Sequence, residues 1–548
     1  MERRGRFRLS CRLPIDRSVS VAPAPLQGGC SVVDSQPKTV PELLARAAEQ
    51  WPDREFLRFP DASITFAEAR EAAERTAAAL RARGLRTGSR VAIMLPNVAA
   101  WPITWLGTLS AGLVAVPVNA TYREADLAHV IADAQPGLVV AAPEFTEVVQ
   151  GALALAGAEV PVVPPGELVD DGDRADVPPV APDALANLQY TSGTTGFPKA
   201  CMLGHDYWVG LGALAARLAR VTESDVTLTS QPFSYIDPMW NTAMALTAGI
   251  PLVVLPRFSA SGFMRSVREH GVTTLYMLGT MPTLLLQQPP APDDRDNALR
   301  LVWCSAIPPL RHAELEQRWG AAWREAYGLT ESGVDLYVPV DDSASVGTGV
   351  LGVPAPGKAI RIVDADGADV RPGEAGELLV AGTPMMRGYW RRPEETARTL
   401  RDGWLHTGDL VRRDADGSIR LVGRQKDMIR RGGENVAAAE VEAALMADPD
   451  VRIAAVVPVP DELFGEEVKA VVVLDDGATD GAEAARALVN RLSTQLARFK
   501  LPRFVEFADE LPMTPSARVA KAELTSRSRT GVVFDLREHR GTTIGGVA

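Results

Sequence analysis

Val91-Ala92-Ile93-Met94-Leu95 and Val114-Ala115-Val116-Pro117-Val118 are short apolar runs, and residues 99–111 between them carry a helical pattern. A helical stretch over 123–134 and the run Leu138-Val139-Val140-Ala141 follow. Short runs that are apolar throughout, separated by helices, predict buried parallel strands with crossover helices, so the fold class is α/β. Upstream, residues 41–50 read as a helix with Leu43, Leu44 and Ala47 on one face, and the Ala-rich stretch 66–84 as a second helix stopped by Gly84. Residues 1–37 show no such pattern and read as a disordered extension.

Downstream, residues 161–187 are rich in Pro, Asp and Gly and read as a long surface connection. The α/β alternation resumes over 205–330, with strands near 251–255, 273–277 and 301–303. Residues 359–425 change character: Ile360–Val363 and Glu377–Val380 are short strands between Asp-Gly and Pro-Gly turns, so this part is β-rich. A boundary falls at Gly423–Gly433. Beyond it, helix 436–446, strands 451–457 and 468–474 and helix 482–497 predict a small α+β domain. The division is thus 1–37, a large unit 38–425, a small unit 426–527 and a tail 528–548.

Composition narrows the function classes. The chain has 548 residues, 46% hydrophobic and 23% charged, an ordinary globular balance with a formal net charge of -12. An acidic chain is a poor match for nucleic-acid phosphates, yet a few local cations suffice for a small anion. Four cysteines, Cys11, Cys30, Cys201 and Cys304, form no CxxC pair, which argues against zinc and for a reducing, cytoplasmic setting. No apolar run is long enough for a membrane span. The arginines before Cys30 lack the apolar segment of a signal peptide. An oligomer is left open.

The chemistry is concentrated in Thr191-Ser192-Gly193-Thr194-Thr195-Gly196-Phe197-Pro198-Lys199. Glycines let the backbone approach a ligand, successive N–H groups can form an anion nest, four hydroxyls add donors and Lys199 adds a point charge. Lys199 follows Pro198, so this is not the GxxxxGK[ST] phosphate loop. A plain surface turn is the bland alternative.

This loop resembles the phosphate loop of the adenylate-forming superfamily, which includes acyl- and aryl-CoA ligases, and the resemblance spans roughly residues 38–527. Other motifs stand in the right order. Tyr327-Gly328-Leu329-Thr330-Glu331-Ser332 resembles the second nucleotide motif. The resemblance implies Tyr327 stacked on adenine, Thr330 on the α-phosphate and Glu331 holding Mg²⁺. Ser305-Ala306 sits where the family has a small turn beside adenine. Gly403-Trp404-Leu405-His406-Thr407-Gly408-Asp409 resembles the ribose motif, with Asp409 accepting from the ribose hydroxyls. Gly423-Arg424-Gln425-Lys426 through Gly432-Gly433 resembles the hinge about which the family's small domain turns between an adenylating and a thioester-forming pose. Arg424 would reach ribose or phosphate and Lys426 would sit at the pivot.

Three departures bear on substrate. Thr514-Pro515-Ser516-Ala517-Arg518 stands where the family has a Ser-Gly-Lys turn with a catalytic lysine. Arg518 keeps the charge in a bulkier, planar form, and Lys521 is an alternative three residues on. Tyr235 replaces a frequent histidine, and Ala438 a frequent proline. The implied acyl pocket holds Tyr235, Asp237, Trp240, Asn241 and Gly279. Asp237 either faces a cationic, amino or hydroxyl group of the substrate or caps the next helix. This stretch is most similar to carnitine/crotonobetaine-type CoA ligases. The expected activity is an AMP-forming ligase that uses ATP and Mg²⁺ to activate a small organic acid and then transfers it to an acceptor, CoA. Lys199, Glu331, Arg424 and Arg518 would be its catalytic groups. An ATP- and nitrite-dependent diazotase acting on an arylamine, and a degenerate nucleotide binder, are the alternatives.

Overall fold

The computed structural model describes residues 36–168, 179–191, 198–431, 434–461, 463–514, 518–526 and 533–536. The runs that opened the sequence reading become one six-stranded sheet. Its order is Val162–Val163, Leu138–Ala141, Arg90–Met94, Val114–Pro117, Leu185–Thr191 and Lys199–Gly204. All neighbours are parallel except the last pair, a hairpin in which Thr191 opposes Lys199. Helix Ala100–Ser110 crosses between two of these strands and is apolar almost all round, which suits its burial, with Trp101 and Trp105 fully enclosed. Trp105 Nε1 donates to Asn187 Oδ1 at 3.0 Å, so its polar atom is satisfied inside the core.

The second sheet has fourteen strands and changes from parallel to antiparallel pairing midway. From Glu55–Arg58 through Leu252–Val254, Thr227–Thr229, Thr274–Leu278 and Leu301–Ser305 to Ala322–Leu329, neighbours run parallel. From Ala322–Leu329 through Gly333–Tyr337, Val350–Pro354, Ile419–Arg424, Trp404–Arg413 and Ala375–Gly382 to Lys358–Val363 they run antiparallel. The α/β and β-rich parts expected from the sequence are therefore two halves of one sheet. The join is the hairpin of Ala322–Leu329 with Gly333–Tyr337, whose turn is Thr330-Glu331-Ser332. Gly328 is demanded there, because a Cβ would lie 1.9 Å from the Gly333 carbonyl oxygen.

A third sheet begins at Met428–Arg431 and uses Glu434–Ala437, Gly465–Leu474, Phe504–Phe507, Val533–Asp535 and Val451–Asp461. Helices Ala438–Met446 and Ala482–Leu492 accompany it. Three element boundaries differ from the sequence reading. Residues 434–437 pair with Met428–Arg431, so the helix expected from 436 starts at Ala438. The helix expected to reach 497 ends at Leu492, where Ser493 and Thr494 side chains donate back to Asn490 and Arg491 carbonyls. The connection 161–187 yields an edge strand, Val162–Val163, and the strand from Leu185; flanking prolines are tolerated at a sheet edge and had hidden the first.

One buried pair ties the join together. Lys358 and Asp335 side chains are both 0% exposed, with Nζ 3.2 Å from Oδ1. Lys358 Nζ also donates to the Ser332 carbonyl at 2.6 Å and to that of Pro384, and Ser332 Oγ donates to Asp335 Oδ2. Burial pushes the Asp335 carboxyl up to about 6 and the Lys358 ammonium down. Lys358→Met strands a buried carboxylate and is expected to cost about 3–5 kcal/mol in urea unfolding, most of it recovered in the double variant with Asp335→Leu.

Candidate active site

A cavity of about 470 Å³ opens beside the join between the two halves of the large sheet. The hairpin turn brings Thr330 and Glu331 to its wall, the start of strand Lys199–Gly204 brings Lys199, and the end of Ile419–Arg424 brings Arg424. Arg518 lines the same cavity from the far end of the chain. All four residues expected to be catalytic therefore meet in one space.

The wall around Thr330, Glu331 and Lys199 is held by polar contacts. Tyr207 Oη donates to the Thr330 carbonyl at 2.9 Å, the Met386 N–H to that of Glu331 at 2.6 Å, and Tyr389 Oη to Glu331 Oε1 at 2.8 Å. Lys199 Nζ lies 3.0 Å from Glu395 Oε2 and 4.7 Å from the centre of the Tyr389 ring. Thr191 and Lys199 fix both ends of the glycine-rich loop, while Ser192, Gly193, Thr194, Thr195 and Gly196 lie outside the described residues. So do Gly432, Gly433, Ala517 and the side chain of Lys426.

Asp409 stands just behind the wall and is 2% exposed. Tyr327 Oη donates to its Oδ2 at 2.6 Å, and Arg424 Nε approaches Oδ1 at 2.9 Å. That contact is an ion pair without hydrogen-bond alignment, and Oδ1 is left buried with no hydrogen bond. A ribose hydroxyl is the donor such an oxygen lacks, so the residues fit a nucleotide. Glu331 and Thr330 also put a carboxylate and a hydroxyl on the cavity wall, hard oxygen donors of the kind magnesium takes.

At the other end, helix Ile236–Ala248 turns Asp237, Trp240 and Asn241 to the cavity, with Tyr235 just before it. Asp237 is not the cap: the N-cap position is Tyr235, which makes no side-chain cap bond, and Asp237 lies in the first turn. Its carboxyl is pushed up to about 6 by burial, opposed by the Arg518 charge. Tyr235 Oη accepts from Asn119 Nδ2 at 3.4 Å.

Ser305, Ala306 and Gly279 support the wall without lining it. Ser305 Oγ pairs with Tyr276 Oη at 2.8 Å. Ala306 takes a left-handed φ of 72°, and its N–H donates to Glu325 Oε1 at 2.7 Å. Gly279 also has positive φ, at 60°, beside Leu278. Lys521 is tied to Glu442 at 2.7 Å and is not among the cavity residues, so Arg518 holds the place in the site. Sequence reasoning missed Tyr389, Glu395 and Tyr276. Gly388-Tyr389-Trp390 was a visible aromatic signal; Tyr276 lay hidden in an apolar strand.

The AMP-binding enzyme family matches residues 44–390, and the AMP-binding enzyme C-terminal domain matches residues 440–518. Sulfoacetate–CoA ligase of Cupriavidus necator is 34% identical over 502 residues, covering 89% of this chain and 98% of that protein. Crotonobetaine/carnitine–CoA ligase of Citrobacter koseri is 30% identical over 485 residues, covering 84% and 93%. The crystal structure of ATP-bound MatB from Rhodopseudomonas palustris matches with a TM-score of 0.81 at 32% identity, covering 89% of this chain and 98% of that one.

Proposed function

We propose that this chain, which belongs to the AMP-binding enzyme family of adenylate-forming CoA ligases, handles its phosphates with Lys199, Arg424, Arg518 and a magnesium ion at Glu331. It is an ATP-dependent, AMP-forming ligase that activates an acid and transfers it to CoA. One observation carries the assignment of roles: residues as distant as Lys199 and Arg518 share one cavity with an unsatisfied Asp409 oxygen behind it. The two sequence relatives are both CoA ligases, and the diazotase and the degenerate binder draw no support from them.

The acid's carboxylate attacks the α-phosphorus of ATP, and pyrophosphate leaves. The CoA thiol then attacks the acyl carbon, and AMP leaves. The protein's part is positioning and charge stabilisation. Asp409 and Arg424 hold the ribose, and Tyr327 stacks on the adenine. Lys199 exchanges Glu395 for phosphate. Arg518 spans the substrate carboxylate and the α-phosphate. When bound, magnesium neutralises phosphate charge. Residues 38–425 and 426–527 act as the two domains, and the small one turns about Lys426 between the half-reactions. No described helix is long and apolar enough to cross a membrane. The cytoplasm is the proposed compartment, in keeping with the buried free thiols of Cys201 and Cys304.

Acid-dependent exchange of labelled pyrophosphate into ATP is the expected result, with CoA-dependent AMP release following. No exchange across a broad panel of carboxylic acids, at saturating ATP and Mg²⁺, sinks the reading.

A further inference from the structure

We infer that Glu395 is a positioning residue for phosphate release: it holds Lys199 in the free protein and takes it back from pyrophosphate once the acid is adenylated. The inference rests on the proposed reading of this cavity as an ATP site and adds the group that loosens its grip.

The backbone sets Glu395 beside Lys199. Residues 387–390 run antiparallel to strand Lys199–Gly204, bridged at Tyr389 and Cys201. The Arg387 N–H donates to the Met202 carbonyl at 2.9 Å, the Met202 N–H to that of Gly388 at 2.9 Å and the Trp390 N–H to that of Ala200 at 2.8 Å. Thr396 Oγ1 accepts from the Tyr389 N–H at 2.9 Å and donates to the Arg392 carbonyl at 2.8 Å. These bonds pin helix Pro393–Thr399 against the start of the strand, where Lys199 stands. Glu394 and Glu395 share the first turn of that helix, and an acidic first turn is ordinary. The two side chains differ. Glu394 is exposed, whereas the Glu395 side chain is 27% exposed and its Oε2 lies 3.0 Å from Lys199 Nζ. That Oε2 is buried and has no hydrogen bond among the described residues, so the ammonium is the charge that compensates it.

Lys199 lines the cavity and Glu395 does not. A phosphate therefore meets the ammonium from the cavity side, with a carboxylate in the wall beyond it, and two anions compete for one charge. Lys199 turned fully to phosphate strands the buried Oε2. Lys199 shared between them leaves two anions facing each other in a partly desolvated space. Either arrangement weakens the hold on phosphate. ATP offsets this through its adenine and ribose. Pyrophosphate has no such anchor once its bond to the α-phosphorus is broken, so the same penalty shows in it as faster departure.

Calorimetric titration of the full chain with pyrophosphate, ATP and adenosine, each with Mg²⁺, is the test. Glu395→Gln and Glu395→Ala are expected to bind pyrophosphate at least about threefold more tightly than wild type, with ATP shifted the same way and adenosine unchanged. Glu395→Asp returns the charge and should cancel most of the tightening. A purely structural glutamate predicts the reverse, since its loss loosens the wall and weakens every ligand. Pyrophosphate affinity that fails to rise in a neutral variant of wild-type-like melting temperature overturns the inference and leaves the ligase reading standing. Equal tightening of adenosine also overturns it. Wild-type protein that binds neither ATP nor pyrophosphate overturns the nucleotide reading and this inference with it.

Discussion

Arg518→Ala is expected to slow acid-dependent pyrophosphate exchange by about 10²- to 10³-fold, the range for removing one preorganised charge stabiliser. The residue is exposed yet lines the cavity, and its charge acts on Asp237. Among the described residues its backbone, not its guanidinium, makes the local bonds: its N–H donates to Thr514 Oγ1 at 3.1 Å and its carbonyl accepts from the Thr514 N–H at 2.6 Å. The turn should therefore survive the substitution, with little change in melting temperature. Arg518→Lys should recover part of the loss, because charge returns without the planar fork. Lys521→Ala should leave exchange near wild type, since that ammonium is held by Glu442. CoA-dependent AMP release from a supplied acyl-adenylate should persist in Arg518→Ala if the small domain turns Arg518 away for the second step. Normal exchange in Arg518→Ala, or its loss in Lys521→Ala, would reassign the lysine's place.

The sequence carried the periodic elements because short-range patterning sets them. Val91–Leu95 and Leu138–Ala141 are apolar on both faces, as a strand covered by helices must be, and both form. What it could not carry was which strands meet. Residues 205–330 and 359–425 read as separate α/β and β-rich parts, and they are one sheet joined at the turn bearing Glu331. The site followed the same rule. Lys199, Glu331, Arg424 and Arg518 were legible from motifs. Tyr389 and Glu395 gained their roles through contacts with residues some 58 to 196 positions away, as in Tyr389 with Glu331 and Glu395 with Lys199. Asp237 was open between two readings because helix-capping and pocket-facing aspartates look alike until the helix start is placed; it starts at Ile236, and Asp237 sits inside the first turn.

Asp409→Ala is expected to have a double effect, on folding and on nucleotide binding. The carboxylate is 2% exposed, and Tyr327 Oη and Arg424 Nε converge on it from different strands. Deleting it leaves the phenol of Tyr327 without its acceptor in the wall. The expected loss is about 1–3 kcal/mol of unfolding free energy, the cost of an unsatisfied buried donor. The Arg424 side chain is 40% exposed and can turn to water, so its half of the pair adds little to that figure. The nucleotide effect is separate. Oδ1 has no hydrogen bond in the protein alone, and a charge-assisted bond from a ribose hydroxyl contributes about 1.5–3 kcal/mol, or roughly ten- to a hundredfold in the ATP dissociation constant. Asp409→Asn separates the two: its amide oxygen can still accept from Tyr327, restoring most of the stability, but it lacks the charge that serves both Arg424 and ribose. Calorimetric titration with ATP, and with a deoxyribose analogue, distinguishes these terms. If the wild-type protein binds the deoxy analogue as tightly as ATP, Asp409 is a structural carboxylate and the ribose assignment falls.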